Sequence, residues 1–163
     1  MRFCISGSSG FLGSALTDHL RRNGHDVVRL VRRDAAGPDE SSWDPADGRI
    51  DDAVIDSADV VVNLAGASFV RWPWTAGYKR TLMQSRVDST HTVSGAIARS
   101  RRRPALLSAS GMNAYGDDRG DEVLDEYSSH GGGFLTDVVE QWEAATAPAA
   151  ESGARVCHIR TSA

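Results

Sequence analysis

Cysteine is scarce in this 163-residue chain, and long apolar runs are absent. Two cysteines, Cys4 and Cys157, are too few for a disulfide framework. Because both lie in strand-like runs, we expect two buried, reduced thiols, as in a cytoplasmic protein. No apolar run approaches the roughly 20 residues that cross a bilayer, and the first residues show no signal-peptide pattern. The sequence therefore predicts a cytoplasmic protein without a membrane partner.

Lysine is rarer still, since Lys79 is the only one and the other basic residues are arginines. The net charge of −4 excludes a protein that an overall basic field holds to nucleic acid, so we expect no nucleic-acid partner. The densest basic cluster, residues 99–103, precedes Pro104. It is either a phosphate-binding patch or a helix end, where cations complement the helix dipole and proline stops the turn. We favour the helix end.

Short β-rich runs alternate with longer helical stretches along the chain. Predicted strands comprise residues 2–6, 26–31, 59–64, 105–109 and 154–160, with a brief strand near Trp43. Predicted helices comprise residues 11–23, 75–100 and 134–151. This alternation predicts an α/β fold with a doubly wound parallel sheet. The length suits one ordinary domain.

Three glycines, Gly7, Gly10 and Gly13, lie between the first predicted strand and the first predicted helix. Glycine permits a tight turn, a close approach of backbone N–H groups to a pyrophosphate, and close helix–strand packing. The helix N-terminus offers unpaired N–H groups to the phosphates. The spacing is G-x-x-G-x-x-G instead of G-x-G-x-x-G, and the absence of a following Gly-Lys-Ser/Thr excludes a P-loop. The loop therefore predicts a dinucleotide site.

The end of the second predicted strand indicates which dinucleotide binds. An acidic residue there would bind the ribose 2′-hydroxyl of NAD, whereas an arginine accommodates the 2′-phosphate of NADP. Arg32 follows the strand directly, and Asp34 is a competing acidic candidate one step late. An alternative is that Arg32 and Arg33 are simply exposed arginines at a strand end. We favour NADP, with NAD as the second choice.

The ordered motifs along the chain resemble a known family. They include Ser6-Gly7-x-x-Gly10-x-x-Gly13, then Asn63-Leu64-Ala65-Gly66, then Ser108-Ala109-Ser110 leading to Tyr115-Gly116. The chain resembles an extended short-chain dehydrogenase/reductase, and more narrowly the atypical NAD-dependent epimerase/dehydratase or nucleoside-diphosphate-sugar epimerase-like subfamily. The resemblance runs from end to end and implies a Rossmann fold that binds NAD(P). Because members continue into a substrate-binding part, we expect residues 1–163 to be a truncated dinucleotide-binding domain without that C-terminal part.

The resemblance also implies a set of cofactor-binding residues. Residues of the glycine loop would contact the pyrophosphate, Arg32 the adenosine phosphate, and residues 64–66 the adenosine and the ribose on the nicotinamide side. Arg86 would help to close the cofactor site, although an ordinary solvated helix arginine is the alternative. The full set is Gly7, Ser9, Gly10, Phe11, Leu12, Gly13, Arg32, Leu64, Ala65, Gly66 and Arg86.

The acid/base pair of the resembled family is missing. Short-chain dehydrogenases use a tyrosine as general acid/base and a lysine four residues later, but the residue four before Lys79 is Thr75. Alignment with extended members places the pair at Phe134 and Val138. Phenylalanine cannot relay a proton, and valine supplies no charge.

Other residues are therefore candidates for the chemistry. Ser110 has the position of the catalytic serine, with Ser108 as the alternative, and Tyr115 is the first candidate acid; a buried turn tyrosine is its alternative role. Asp121 or Glu122 could act as a base, or lie in a solvated loop. Trp72 and Trp74 could line a ring-binding pocket, or pack in the core or in a lid. The carboxylates lack histidine partners at metal-ligand spacing, so we expect no metal.

Two hypotheses of different classes follow. The first is an NADP-dependent epimerase or oxidoreductase with a non-standard acid/base, acting on a small-molecule substrate such as a nucleotide sugar or a small carbonyl. The second is a non-catalytic NADP(H)-binding or redox-sensing protein, because a fold does not imply its usual activity. The sequence indicates neither the particular substrate nor the oligomeric state.

Overall fold

The computed structural model describes residues 1–162 and contains a six-stranded parallel sheet. The strands are β1 (Arg2–Ser6), β2 (Asp26–Val31), β3 (Glu40–Ser42), β4 (Val60–Asn63), β5 (Ala105–Gly111) and β6 (Val156–Thr161). Their order across the sheet is β3-β2-β1-β4-β5-β6. Chain order therefore runs outward from β1 in one direction and from β4 in the other, which confirms the doubly wound fold.

Helices cover both faces of this sheet. They are α1 (Phe11–Arg22), α2 (Asp52–Ser57), α3 (Ala76–Arg99), α4 (Phe134–Ala144) and α5 (Ala147–Glu151), with a 3-10 turn over Met112–Tyr115. Successive strand residues point to opposite faces, so Cys4 joins a core with Val61 and Ile97, whereas Ile5 joins a second core with Val62. Within residues 1–162, no helix has the length and apolar character needed to cross a bilayer.

The structure corrects two details of the predicted elements. Residues 134–151 form two helices, because Pro148 at the second position of α5 has no N–H group to donate and its ring would clash with the carbonyl four residues back. The six-residue helix α2 was not predicted, since it is too short to show an apolar period. It begins at an aspartate cap, where the Asp51 carboxylate accepts a hydrogen bond from the Ala53 N–H group.

The two cysteines differ in their surroundings. Cys4 lies buried in the central strand β1, and burial raises the pKa of its thiol to about 12. Cys157 is exposed, so the prediction that both thiols are buried is wrong. The physical reason is the position of β6 at the edge of the sheet, where most of its residues remain exposed in the described structure.

The basic cluster at residues 99–103 lies at a helix end, as predicted. Helix α3 ends at Arg99, whose guanidinium donates two hydrogen bonds to Asp52. Arg102 pairs with Asp59 at 2.8 Å. These ion pairs connect the end of α3 to α2 and to Asp59, the residue before β4. The charges of Arg99 and Arg102 therefore stabilise the fold.

Candidate functional site

The glycine loop after β1 has no room for side chains at two of its three glycines. A Cβ atom at Gly7, where φ is +67°, would lie 2.6 Å from the carbonyl carbon of Leu64. A Cβ atom at Gly13 would overlap the carbonyl oxygen of Gly7. Gly10 is less constrained, since the nearest atom would be 3.3 Å away. Helix α1 can therefore approach β1 and β4 only because Gly7 and Gly13 lack side chains.

The N-terminus of α1, which directly follows this loop, has backbone N–H groups without a side-chain cap in the described structure. Its cap residue is Gly10, and no side chain of residues 1–162 caps it. The N–H groups of the first helical turn have no intrahelical acceptors and lie at the positive end of the helix dipole. Phe11 is 91% exposed and Leu12 is 58% exposed, so apolar surface lies next to these donors. Backbone donors beside exposed apolar side chains form a cradle for an anion attached to a larger group.

The two arginines after β2 have different roles. Arg33 donates two hydrogen bonds of 2.7 Å to the Glu40 carboxylate, which also accepts from the Ala36 N–H group. The Arg33 hydrogen bonds lower the pKa of Glu40 from 4.5 to about 2. Arg32, in contrast, is exposed, and none of its polar atoms has a hydrogen-bond or ion-pair partner within residues 1–162. Of the two arginines, Arg32 is therefore the one available to a ligand. Asp34, the competing acidic candidate two positions later, is also exposed.

The segment after β4 lies against the glycine loop. Asn63 is buried and accepts a hydrogen bond from the Ser6 hydroxyl, while the Leu64 N–H group donates to that same hydroxyl. Helix α3 then holds the following residues, because the Ala67 N–H group donates to Ser85. The structure thus brings Leu64, Ala65 and Gly66 to the carboxyl edge of the sheet beside Gly7.

Arg86 is a buried cation, not a solvated helix arginine. Only 5% of it is exposed, and burial lowers the pKa of its guanidinium to about 10. The guanidinium donates to the carbonyl oxygens of Leu82 and Ala67, each at 3.0 Å, and lies 3.9 Å from the centroid of the Phe69 ring. No carboxylate within residues 1–162 pairs with it. Arg86 therefore shapes the loop that follows β4 and leaves its positive charge uncompensated.

A polar network joins the two predicted catalytic residues, Ser110 at the end of β5 and Tyr115 in the following 3-10 turn, which are buried, to two half-buried charged residues. Ser110 donates a hydrogen bond of 2.5 Å to Glu143, and Arg160 donates to both oxygens of that carboxylate at 2.8 and 2.7 Å. Arg160 also donates to the Tyr115 hydroxyl at 3.0 Å. Burial opposes ionisation of Glu143, but these hydrogen bonds outweigh it and hold its pKa below the ordinary value. Ser110 and Tyr115 are thus linked through Glu143 and Arg160.

Sequence reasoning did not assign a role to Glu143 or Arg160. A signal was available, since a carboxylate beside Trp142 on an apolar helix face and an arginine within a strand are unusual positions for charge. Such residues are expected to pair with each other. Their separation of 17 positions in the chain hides the pairing until the fold brings α4 and β6 together beside β5.

The model of the NAD dependent epimerase/dehydratase family matches residues 3–140. The chain belongs to this family.

Relatives within the epimerase family extend well beyond this chain. An epimerase family protein of Mycobacterium bovis is 42% identical over 157 residues, covering 96% of this chain and 52% of the relative. The chain therefore spans about half the length of the relatives that it matches.

Solved structures share the fold. A nucleoside-diphosphate sugar epimerase from Corynebacterium glutamicum superposes with a TM-score of 0.85 at 39% identity, covering 98% of this chain and 33% of that one. The human epimerase family protein SDR39U1, crystallised with NADPH, superposes with a TM-score of 0.82 at 30% identity, covering 98% of this chain and 53% of that one.

In this member of the epimerase family, Phe134 begins α4 and Val138 is fully buried within it. A different helix brings a cation to Phe134, because the Lys79 ammonium lies 4.9 Å from the Phe134 ring centroid. The Trp74 ring lies edge-on to Phe134 at 6.3 Å. Trp74 therefore packs within an aromatic cluster, whereas Trp72 is 81% exposed.

Two further candidates lie in the acidic loop before α4. Glu122 accepts two hydrogen bonds from Arg119, at 2.8 and 2.9 Å, and Asp121 is exposed. Ser108 is fully buried, with its hydroxyl directed to the Ala109 carbonyl oxygen at 3.3 Å. Among the predicted catalytic residues, Ser110 and Tyr115 are the two that the structure links in one network.

Proposed function

We propose that this chain binds NADP(H) across the carboxyl edge of its sheet as the cofactor-binding part of an epimerase or oxidoreductase. The observation that carries the proposal is the cradle formed by Gly7, Gly13 and the uncapped N-terminus of α1. Side chains at Gly7 or Gly13 would collide with backbone, so this turn is built for close approach. A diphosphate is the anion that such a strand–turn–helix unit binds.

The position of Arg32 favours NADP over NAD as the cofactor. Its guanidinium follows β2, where the adenosine ribose is read in this fold. Arg33 is held by Glu40, whereas Arg32 remains available to a 2′-phosphate. The human relative that was crystallised with NADPH is 30% identical to this chain, which agrees with the same preference.

Tyr115 is the residue that we assign as proton donor. The Tyr115 hydroxyl oxygen accepts a hydrogen bond from Arg160, so its own proton is free to be donated to a substrate oxygen. Arg160 also favours the phenolate over the phenol when that proton leaves, since a cation stabilises the charge that develops. The cofactor, when bound, supplies or accepts hydride at the substrate carbon.

Ser110 and Glu143 act as positioning residues in this proposal. The Ser110 hydroxyl donates its proton to Glu143, so it is not directed to a substrate carbonyl. Glu143 in turn fixes the plane of the Arg160 guanidinium through two hydrogen bonds. The substrate class that we propose is a nucleotide sugar or a small carbonyl compound.

The cofactor proposal is tested by titrating the full chain with NADPH while monitoring nicotinamide fluorescence. We expect saturable binding that is lost in Gly13→Ala and retained in Gly10→Ala. An absence of binding by the folded wild-type chain would refute the proposal.

A second candidate function is NADP(H) binding without turnover, and the buried Val138 behind Phe134 favours it. NADPH consumption, assayed with a panel of carbonyls and nucleotide sugars, separates the two functions. Sustained consumption that Tyr115→Phe abolishes would establish the enzyme. Tight binding without consumption of NADPH across the panel would favour the non-catalytic function.

A further inference from the structure

Lys79 and Arg86 lie at opposite ends of one chain of aromatic rings. The ammonium of Lys79 lies 4.9 Å from the centroid of Phe134, which packs edge-on against Trp74. Trp74 lies 6.0 Å from Phe69, and the Arg86 guanidinium stacks on Phe69 at 3.9 Å. Two cations therefore flank one aromatic wall, which consists of Phe134, Trp74 and Phe69.

Neither cation is neutralised by a carboxylate within residues 1–162. Arg86 donates its hydrogen bonds to carbonyl oxygens, and its Nε has no partner in this part of the chain. Lys79 forms no hydrogen bond or ion pair with the described residues. The Arg86 guanidinium is buried, so its charge is screened less than one in bulk water. Lys79 is exposed, so its charge acts on groups within about one Debye length, roughly 8 Å at physiological ionic strength. The wall therefore carries a positive potential at both ends.

The wall belongs to the half of the sheet that would receive the nicotinamide. In a doubly wound sheet the dinucleotide crosses the switch point between its two halves, which here lies between β1 and β4. Arg32 and the glycine loop occupy the β1–β2 half. Lys79 lies in the first turns of α3, which follows β4, and Phe134 begins α4, which follows β5. These helix starts therefore lie at the carboxyl edge of the second half.

We propose that Lys79 makes this site bind NADPH in preference to NADP⁺; the inference rests on the proposed cofactor function. The oxidised nicotinamide ring carries a positive charge, whereas the reduced ring is neutral. A nearby ammonium repels the oxidised ring and leaves the reduced ring unaffected. The uncompensated charge of Arg86 acts in the same direction.

Dissociation constants of NADPH and NADP⁺ test this proposal, measured on the full chain by calorimetry. Lys79→Met is expected to lower the ratio of the NADP⁺ constant to the NADPH constant about fivefold, because it removes the repulsion from the oxidised ring. Lys79→Arg keeps the charge and should keep the ratio. Arg80→Met is the matched control, since Arg80 is exposed like Lys79 but adjacent helix positions do not face the same direction, so its loss should leave the ratio unchanged.

The outcomes separate this inference from the proposed function. If wild-type chain binds neither nucleotide, the cofactor proposal fails and this inference falls with it. If both nucleotides bind and Lys79→Met changes the two constants equally or leaves both unchanged, the inference alone is overturned. The same holds if Arg80→Met shifts the ratio as much as Lys79→Met, because a general charge effect would then explain it.

Discussion

The guanidinium of Arg160 lies 3.0 Å from the hydroxyl oxygen of Tyr115 and 5.2 Å from the centroid of its ring. Two hydrogen bonds to Glu143 hold it in that place. A cation beside a phenol is the same physical arrangement that the tyrosine and lysine provide in short-chain dehydrogenases, although here it is built from β6 and the 3-10 turn after β5. Arginine supplies the charge without taking part in proton exchange, since it does not deprotonate in proteins.

Tyr115→Phe tests the role of this phenol. It should lower the rate of NADPH consumption by about 10²–10⁴-fold, the usual contribution of a positioned acid or base, with the NADPH dissociation constant unchanged. Tyr127→Phe is the control, because Tyr127 is 95% exposed and should retain the full rate. Equal rates for wild type and Tyr115→Phe, measured on an accepted substrate, would remove Tyr115 from the chemistry.

Arg32→Asp tests the choice of cofactor. The variant should weaken NADPH binding far more than NADH binding, by about 1–3 kcal/mol for a lost charge-assisted contact, as measured by fluorescence titration. Arg33→Gln serves as the comparison. Because the Arg33 guanidinium is bound to Glu40, its loss should change the NADPH and NADH dissociation constants equally. An equal loss for NADPH and NADH in Arg32→Asp would show that Arg32 does not read the 2′-phosphate.

Gly13→Ala tests the packing of the glycine cradle. The new methyl group would collide with the Gly7 carbonyl, so the free energy of unfolding in urea should fall by about 1–3 kcal/mol, as for an overpacked site. In Gly10→Ala the free energy of unfolding should fall much less. The new Cβ atom would lie 3.3 Å from its nearest neighbour, the Gly7 carbonyl oxygen, and the Gly10 backbone is extended. Equal stability of the two variants would contradict the close approach of α1 to β1.

The lowered pKa of Glu40 predicts how the free energy of unfolding changes in acid. Its pKa is lowered in the folded chain from 4.5 to about 2, so its ionised form contributes stability that is present above about pH 4.5. This contribution is lost as the pH falls toward 2. Glu40→Gln should therefore be less stable than wild type at pH 7 and should lose less stability between pH 5 and pH 3, as followed by urea denaturation.

An exposed carboxyl group provides the comparison for Glu40. Asp18 lies on the exposed face of α1, and Asp18→Asn should leave the free energy of unfolding at pH 7 within about 0.5 kcal/mol of wild type, as for most surface substitutions. Parallel curves for wild type and Glu40→Gln would mean that the Arg33–Glu40 pair does not form in solution.

Much of the fold follows from local patterns in the sequence. The alternation of apolar strands and amphipathic helices predicted the parallel sheet, and the glycine spacing predicted the turn between β1 and α1. Local signals failed where an element was short, as for α2, or where a proline divided a helical run, as at Pro148. The exposure of Cys157 was missed because a strand pattern does not reveal which strand lies at the sheet edge.

The amino-acid sequence by itself determined the α/β architecture, the glycine turn, the absence of the Tyr-x-x-x-Lys pair and the arginine at the end of β2. These properties depend on residues that are neighbours in the chain, so composition and spacing express them. Only the tertiary structure decided that Arg33 binds Glu40 while Arg32 remains available, that Arg160 joins Glu143 and Tyr115, and that Lys79 reaches Phe134. Those contacts connect separate elements, and their formation depends on distances that exist only after the sheet and its helices have packed.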